Sequence, residues 1–87
     1  MKNNIEDLRK QIDSIDDELL QLLQKRVTIM KKVGEAKKSL QQPIRDEQRE
    51  KEKLAELEEK ANLLQIPNAL VINIWKLFFE ISEEIEK

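Results

Sequence analysis

Apolar residues recur along the first part of the chain at steps that alternate between three and four positions. From Ile5 they fall at 5, 8, 12, 15, 19 and 22, and then at 29, 33, 36 and 40. This spacing predicts a long helix that packs lengthwise against another helix. The series stops before Pro43, which cannot continue a helix and favours an extended Gln42. A helix of about 36 residues is roughly 54 Å long at 1.5 Å per residue, and either Asn3 or Asn4 could cap its start.

Two shorter helices are predicted after this break. The second runs from about Ile44 or Asp46 to Leu64, and the third follows Pro67, which suits a first helical turn. Their apolar faces carry Leu54, Leu57, Ala61 and Leu64 in the second helix, and Val71, Trp75, Phe78, Ser82 and Ile85 in the third. With one Gly, two Pro and no Cys in 87 residues, the composition favours few, long helices. We therefore predict an all-α chain of three helices that forms a single domain over residues 1–87.

The first helix is too long for the other two to cover. We expect the second helix to fold back along the second half of the first, and the third to return along the second. An apolar stripe on the first helix then stays uncovered, namely Ile5, Leu8, Ile12, Ile15 and Leu19. A monomer rarely exposes a stripe of this length. We therefore expect a homodimer in which each long helix lies against the partner chain.

Gly34 lies in the interior of the first predicted helix. Glycine there costs roughly 1 kcal/mol relative to alanine. The missing side chain should therefore serve another purpose, and we expect either a close contact with another helix or room for a ligand.

The charge and hydropathy of the chain exclude several classes of partner. The net charge is −2 with both signs mixed, which does not favour nucleic acid or an anionic membrane. The longest apolar run, NALVINIW, is far shorter than the roughly 20 residues that span a bilayer. The N-terminal sequence MKNNIEDLRK lacks the apolar core of a signal peptide. We expect a cytoplasmic protein.

Arg26 occupies a position in the apolar register of the first helix. A buried charge without a partner costs several kcal/mol, so this guanidinium must either pair with a carboxylate or bind an anion. Lys37 lies on nearly the same helix face, because eleven residues turn the helix by about 20° beyond three full turns. Met30 and Val33 lie between these two cations and form an apolar floor.

Polar residues also lie on the inward lines of the other two helices. Asp46, Arg49 and Glu50 share one face of the second helix, and Ser82 and Glu86 are one turn apart on the third. Taken singly, each has an ordinary interpretation as part of a solvated face, a frayed end or a buried ion pair. Because polar groups from three helices converge, we favour an internal cavity for a small polyanion that carries a hydroxyl group.

Three motifs in this order, LRKQIDSIDDELLQLLQKR, VGEAK and PIRDEQRE, resemble the all-helical class of chorismate mutases over nearly the whole chain. The resemblance implies an intertwined homodimer of three-helix subunits. It also implies the rearrangement of chorismate to prephenate, on the way to phenylalanine and tyrosine, without a metal or cofactor. An isochorismate pyruvate lyase or an aminodeoxychorismate mutase of the same fold remains an alternative, as does a non-catalytic helical dimerisation module.

Carried over position by position, the resemblance also implies a substrate pocket. The implied catalytic residues are Arg26, Lys37, Glu50 and Glu86, and the implied substrate-binding residues are Arg9, Asp46, Arg49, Ser82, Val33 and Met30. Arg9 would come from the partner chain, because it lies roughly 25 Å from Arg26 along the same helix and about 100° around it.

The implied roles follow from the reaction, and two positions depart from the family pattern. Arg9 and Arg26 would hold the two carboxylates of the substrate, while Lys37 would donate to the ether oxygen. Many members of the family carry Gln where this chain has Glu86, which can donate only when it is protonated. Glu83 stands where apolar residues are common, so the pocket wall there should differ.

Overall fold

The computed structural model describes residues 4–87, and its helices span most of that range. The helices are α1 (Ile5–Leu40), α2 (Glu47–Leu63) and α3 (Asn68–Glu86), and no strand occurs among the described residues. The predicted all-α fold with three helices is confirmed. The first helix has 36 residues, as the apolar spacing predicted, and it sets the longest of the overall dimensions, 62 × 25 × 16 Å.

The two ends of α1 are stabilised by backbone groups. The backbone oxygen of Asn4 accepts from the N–H of Leu8 at 2.8 Å, but the Asn4 side chain makes no capping hydrogen bond. Asn4, one of the two predicted candidates, is therefore the N-cap residue, but its side chain does not cap the helix, and Asn3 lies outside the described residues. At the other end Gln41 adopts a left-handed conformation with φ 56°, which ends the helix.

The second and third helices each begin slightly later than predicted. The Asp46 side chain accepts from the backbone N–H of Arg49 at 3.0 Å, so Asp46 is the N-cap of α2 and the helix starts at the next residue. A start at Ile44 is wrong, because Ile44 lies at a bend in the loop before Asp46. Pro67 likewise precedes the first turn of α3 instead of lying within it.

The packing order of the helices differs from the predicted one. α3 contacts both other helices, whereas α1 and α2 make no close backbone contact with each other in the described part of the chain. The expectation that α3 returns along α2 is therefore right, but α3 and not α2 packs against α1. A small core of Leu57, Ala61 and Val71 joins α2 to α3, with Ile66 and Trp75 packed against it.

At Gly34 the helix α3 approaches α1 closely. A methyl group built on Gly34 would lie 3.0 Å from Cα and 3.1 Å from Cγ of Glu86. Both residues are buried. The glycine therefore allows a close helix contact, which is one of the two purposes expected from its position.

The N-terminal half of α1 has no cover within the chain. All described residues up to position 25 are exposed. They include large apolar side chains that are about half exposed, namely Ile5, Leu8, Ile12, Ile15 and Leu19. Among the described residues, no helix is long and apolar enough to cross a membrane.

Replacing Gly34 by alanine should destabilise the fold, although alanine is the better helix former by about 1 kcal/mol. The added methyl group would meet the backbone of Glu86 at 3.0 Å, so the end of α3 has to move. Overpacking typically costs about 1–3 kcal/mol, and we expect a net loss of about 1 kcal/mol. Urea and thermal unfolding at one fixed chain concentration measure this change.

Ala36→Gly is the matched control, because Ala36 is exposed on the same stretch of α1. It should lose about 1 kcal/mol through helix propensity alone. A Gly34→Ala protein that is more stable than the wild type, beside a destabilised control, would show that the two helices do not touch closely at Gly34.

Candidate active site

A cavity of about 390 Å³ lies between the second half of α1, the start of α2 and the end of α3. This volume is within the range of small-molecule sites, roughly 300–1,000 Å³. Nine of the ten residues predicted for the pocket line it, namely Arg26, Met30, Val33, Lys37, Asp46, Arg49, Glu50, Ser82 and Glu86. The helix register therefore directs these side chains to one place.

The Arg26 side chain has no ion-pair partner within residues 4–87. Its guanidinium carbon lies 3.9 Å from the centre of the Phe78 ring, a cation–π contact that holds it beside α3. Burial, and to a lesser degree the positive charge of Arg49, lowers the pKa of Arg26. A carboxylate partner for Arg26, which a purely structural role predicted, is not observed. Two neighbouring guanidinium groups instead form a site that favours an anion.

Lys37 and Glu86 form an ion pair at the inner end of the cavity. The Lys37 Nζ lies 2.6 Å from the Glu86 Oε1, and the two side chains are 21% and 6% exposed. Lys37 also donates to the backbone oxygen of Ile44, which ties the loop before α2 to α1. Glu86, one residue from the end of the chain, is therefore buried and packed and not part of a frayed end.

Glu50 faces the cavity from the first turn of α2, and a neighbouring arginine orients it. Arg45 donates to it from Nε to Oε2 and from Nη2 to Oε1, each at 3.0 Å. Arg45 was not predicted as a site residue, because it lies in a loop where helix periodicity gives no information. A usable signal was its place within PIRDEQRE, directly before the N-cap.

Other predicted residues play different parts. The carboxylate of Asp46 caps α2, and this bond places Arg49 and Glu50 in the first turn at the cavity rim. Ser82 is half-buried and lines the α3 wall. Glu83 also lines the cavity, at the part of the wall where the sequence predicted a departure. Further lining residues were not predicted, namely Ile29, Gln42, Ile44, Arg45 and Phe79.

Arg9 is the one predicted site residue that does not line the cavity of its own chain. It lies in the exposed N-terminal half of α1, roughly 25 Å along the helix from Arg26.

Within residues 4–87 no cluster of three or more His, Cys, Asp or Glu side chains could hold a metal ion. The described chain thus offers cations, carboxylates and a hydroxyl group as its chemical groups.

Comparison with known proteins identifies the family. The chain is 31% identical over 86 residues to a bifunctional chorismate mutase/prephenate dehydratase of Aquifex aeolicus, covering 95% of this chain and 24% of that protein. A protein of the same description from Buchnera aphidicola is 43% identical over 65 residues, covering 71% and 17%. A chorismate mutase of Methanocaldococcus jannaschii is 29% identical over 87 residues, covering 100% and 88%.

The chain spans a quarter or less of the two bifunctional relatives, and most of the archaeal one. The sequence model of the family described as chorismate mutase type II matches residues 8–87. The resemblance seen in the three sequence motifs is confirmed, and the chain belongs to the chorismate mutase type II family.

Proposed function

We propose that residues 1–87 act as a single chorismate mutase domain, which rearranges chorismate to prephenate in phenylalanine and tyrosine biosynthesis. The observation that carries this proposal is the cavity in which Arg26, Arg49 and Lys37 converge with an oriented carboxylate, Glu50. These groups match a small dicarboxylate that bears a hydroxyl group. We also propose a cytoplasmic location, because the relatives are named as enzymes that act on chorismate.

The rearrangement takes place within one molecule and needs no nucleophile or proton transfer. The protein accelerates it by selecting the compact, chair-like conformer and by stabilising the charge that separates as the C–O bond breaks. Arg26 and Arg49 bind substrate carboxylates, because a planar guanidinium can donate two parallel hydrogen bonds to one carboxylate. Met30 and Val33 provide the apolar floor against which the ring packs.

Lys37 and Glu50 act on opposite ends of the reacting molecule. The ammonium of Lys37, fixed by Glu86 and by the backbone of Ile44, donates to the ether oxygen as negative charge develops there. Glu50 accepts from the ring hydroxyl. Ser82 adds a hydroxyl group to the carboxylate-binding wall, and Asp46 contributes by fixing the start of α2.

The site is completed by Arg9 from the partner subunit of an intertwined homodimer. This part of the proposal is supported by the exposed apolar residues of α1, which one chain leaves without cover. Arg9 lies on that exposed half. A second copy that covers the stripe brings its own Arg9 close to the first copy's cavity.

The direct test is the loss of chorismate absorbance on adding the purified chain, with the product identified by mass spectrometry. We expect an enzyme-dependent loss with prephenate as the product. Arg26→Ala should reduce kcat/KM by at least about 10²-fold, because it removes one preorganised charge contact. A wild-type chain that leaves chorismate unchanged contradicts the proposal, and release of pyruvate from isochorismate would assign the chain to lyase chemistry instead.

The dimer and the shared site predict complementation between two inactive variants. Arg9→Ala and Arg26→Ala should each lower kcat/KM by at least about 10²-fold. After subunit exchange the mixture should regain activity, because one of the two sites in a heterodimer keeps both arginines. Chorismate turnover before and after exchange measures the effect.

Sedimentation at micromolar concentration is the control, and it should give twice the mass of one chain. A folded monomer at that concentration contradicts the dimer. If heterodimers form and the mixture stays inactive, Arg9 does not complete the partner's site.

A further prediction concerns Glu86. Its neutral carboxyl group can donate to the ether oxygen, whereas its carboxylate, which pairs with Lys37 at 2.6 Å, repels the developing charge. Glu86→Gln has no charge and its amide donates at every pH, so it should raise kcat at pH 8 by about 10-fold to 100-fold. Chorismate turnover by the two proteins at pH 8 measures the effect.

Glu84→Gln is the matched control, because Glu84 is exposed two positions away and pairs only with Lys87 in the described structure. It should leave kcat at pH 8 unchanged. An equal kcat for the wild type and Glu86→Gln at pH 8 would show that Glu86 does not act on the ether oxygen.

A further inference from the structure

We propose that Arg45 is a positioning residue, which holds the carboxylate of Glu50 in the orientation that accepts from the substrate hydroxyl; this inference rests on the proposed function. Arg45 belongs to the loop between α1 and α2 and lines the cavity together with Glu50. Its Nε and Nη2 each donate to a different oxygen of Glu50 at 3.0 Å. Two parallel bonds between two planar groups fix the plane of the carboxylate, which a single bond does not.

The two parallel hydrogen bonds from Arg45 leave Glu50 able to accept a further hydrogen bond. An ionised carboxylate has about four lone-pair positions on its two oxygens. Oε1 accepts from Nη2 at 3.0 Å and from Nε at 3.3 Å, whereas Oε2 accepts only from Nε among the described residues, so Oε2 keeps a position for a ligand hydroxyl. The Glu50 side chain is only 18% exposed, and its free face is directed into the cavity that it lines.

Arg45 also keeps Glu50 away from the cations on the other side of the cavity. Arg26 and Arg49 line the same cavity and have no carboxylate partner within residues 4–87. Without Arg45, the flexible Glu50 side chain would be drawn towards these charges. It would then neutralise a guanidinium needed for a substrate carboxylate. The pair of Arg45 and Glu50 therefore protects both the acceptor and the anion site.

Glu83 gives Arg45 a second anchor. The Nη1 of Arg45 donates to the Glu83 Oε2 at 3.3 Å, so the guanidinium bridges the start of α2 and the end of α3. Glu83 stands at a position where the sequence departs from the apolar pattern of the family. This departure now has a physical explanation, because the carboxylate steadies the arginine that orients Glu50. Both bridging side chains are well exposed, so little of the stability of the fold should depend on them.

The experiment compares two ligands that differ by one hydroxyl group. Both are non-reacting bicyclic dicarboxylates shaped like the chair transition state, and only one carries the hydroxyl that Glu50 accepts from. Titration calorimetry on the full dimer measures both dissociation constants. Arg45→Ala should weaken the hydroxylated ligand about ten-fold, the scale of one hydrogen bond to a charged group. The ligand without the hydroxyl should bind within two-fold of the wild type, allowing roughly that scatter for a remote contact.

Three further variants separate positioning from a merely structural role. In a Glu50→Gln background, Arg45→Ala should cause almost no further loss of affinity for the hydroxylated ligand, because the effects of two residues that act through one another are not additive. Arg45→Lys keeps the positive charge but cannot form two parallel hydrogen bonds. It should therefore not restore the preference for the hydroxylated ligand. Lys60→Ala removes another exposed ion pair of α2, with Glu56, and should leave both dissociation constants unchanged.

The outcomes distinguish this inference from the proposed function. Arg45 does not position Glu50 if Arg45→Ala weakens the binding of both ligands equally. The same conclusion follows if Arg45→Ala reduces the affinity for the hydroxylated ligand as much in the Glu50→Gln protein as in the wild type. If the wild type binds both ligands but does not convert chorismate, the proposed function is wrong, while the hydroxyl preference still decides the role of Arg45. A wild type that binds neither ligand contradicts both proposals.

Discussion

The contact between α3 and α1 at Gly34 determines where the cavity forms. A side chain at this position would meet the backbone of Glu86 at 3.0 Å, so only glycine allows the helices to approach this closely. Less than one turn further along α1, Lys37 then comes within 2.6 Å of Glu86. One turn back along α3, Ser82 reaches the cavity wall. The propensity cost of a helical glycine, roughly 1 kcal/mol, is the cost of bringing these groups together.

Charge pairing inside the site leaves its two central guanidinium groups available. Glu50 is held by Arg45, and the carboxylate of Glu86 is held by the ammonium of α1. Arg26 and Arg49 have no carboxylate partner in the described structure, and burial together with their mutual repulsion lowers the pKa of Arg26. A bound dianion would relieve that repulsion. The proposed substrate thus supplies the charge that the folded chain lacks at this point, and its binding energy can be used for catalysis.

The sequence predicted the faces of the helices better than their partners. Periodicity identified the buried positions Leu57, Ala61 and Val71, and most of the cavity lining. It was wrong for Leu64, which is exposed, and in α1 the buried residues are Met30 and Gly34 and not the apolar series around them. It could not show that α3 and not α2 packs against α1, because an apolar face is compatible with either neighbour. Arg45 escaped prediction because loop residues have no periodicity, and its role depends on tertiary contacts with Glu50 and Glu83. Asn4 is the N-cap of α1 but makes no side-chain capping hydrogen bond, because such a bond depends on side-chain geometry that residue type alone does not determine.

The length of α1 is explained if one helix contributes residues to two sites. Its second half carries the cations of the cavity, and its first half carries Arg9 beside an exposed apolar stripe. In a two-fold dimer every contact occurs twice. A second chain that covers the apolar stripe of the first therefore has its own stripe covered by the first chain. In the dimer that we propose, the rotation that brings the partner's Arg9 to Arg26 also takes the first chain's Arg9 to the partner's cavity. Burial of the stripe and completion of both sites would then follow from one symmetry operation, and loss of that dimer should abolish fold stability and activity together.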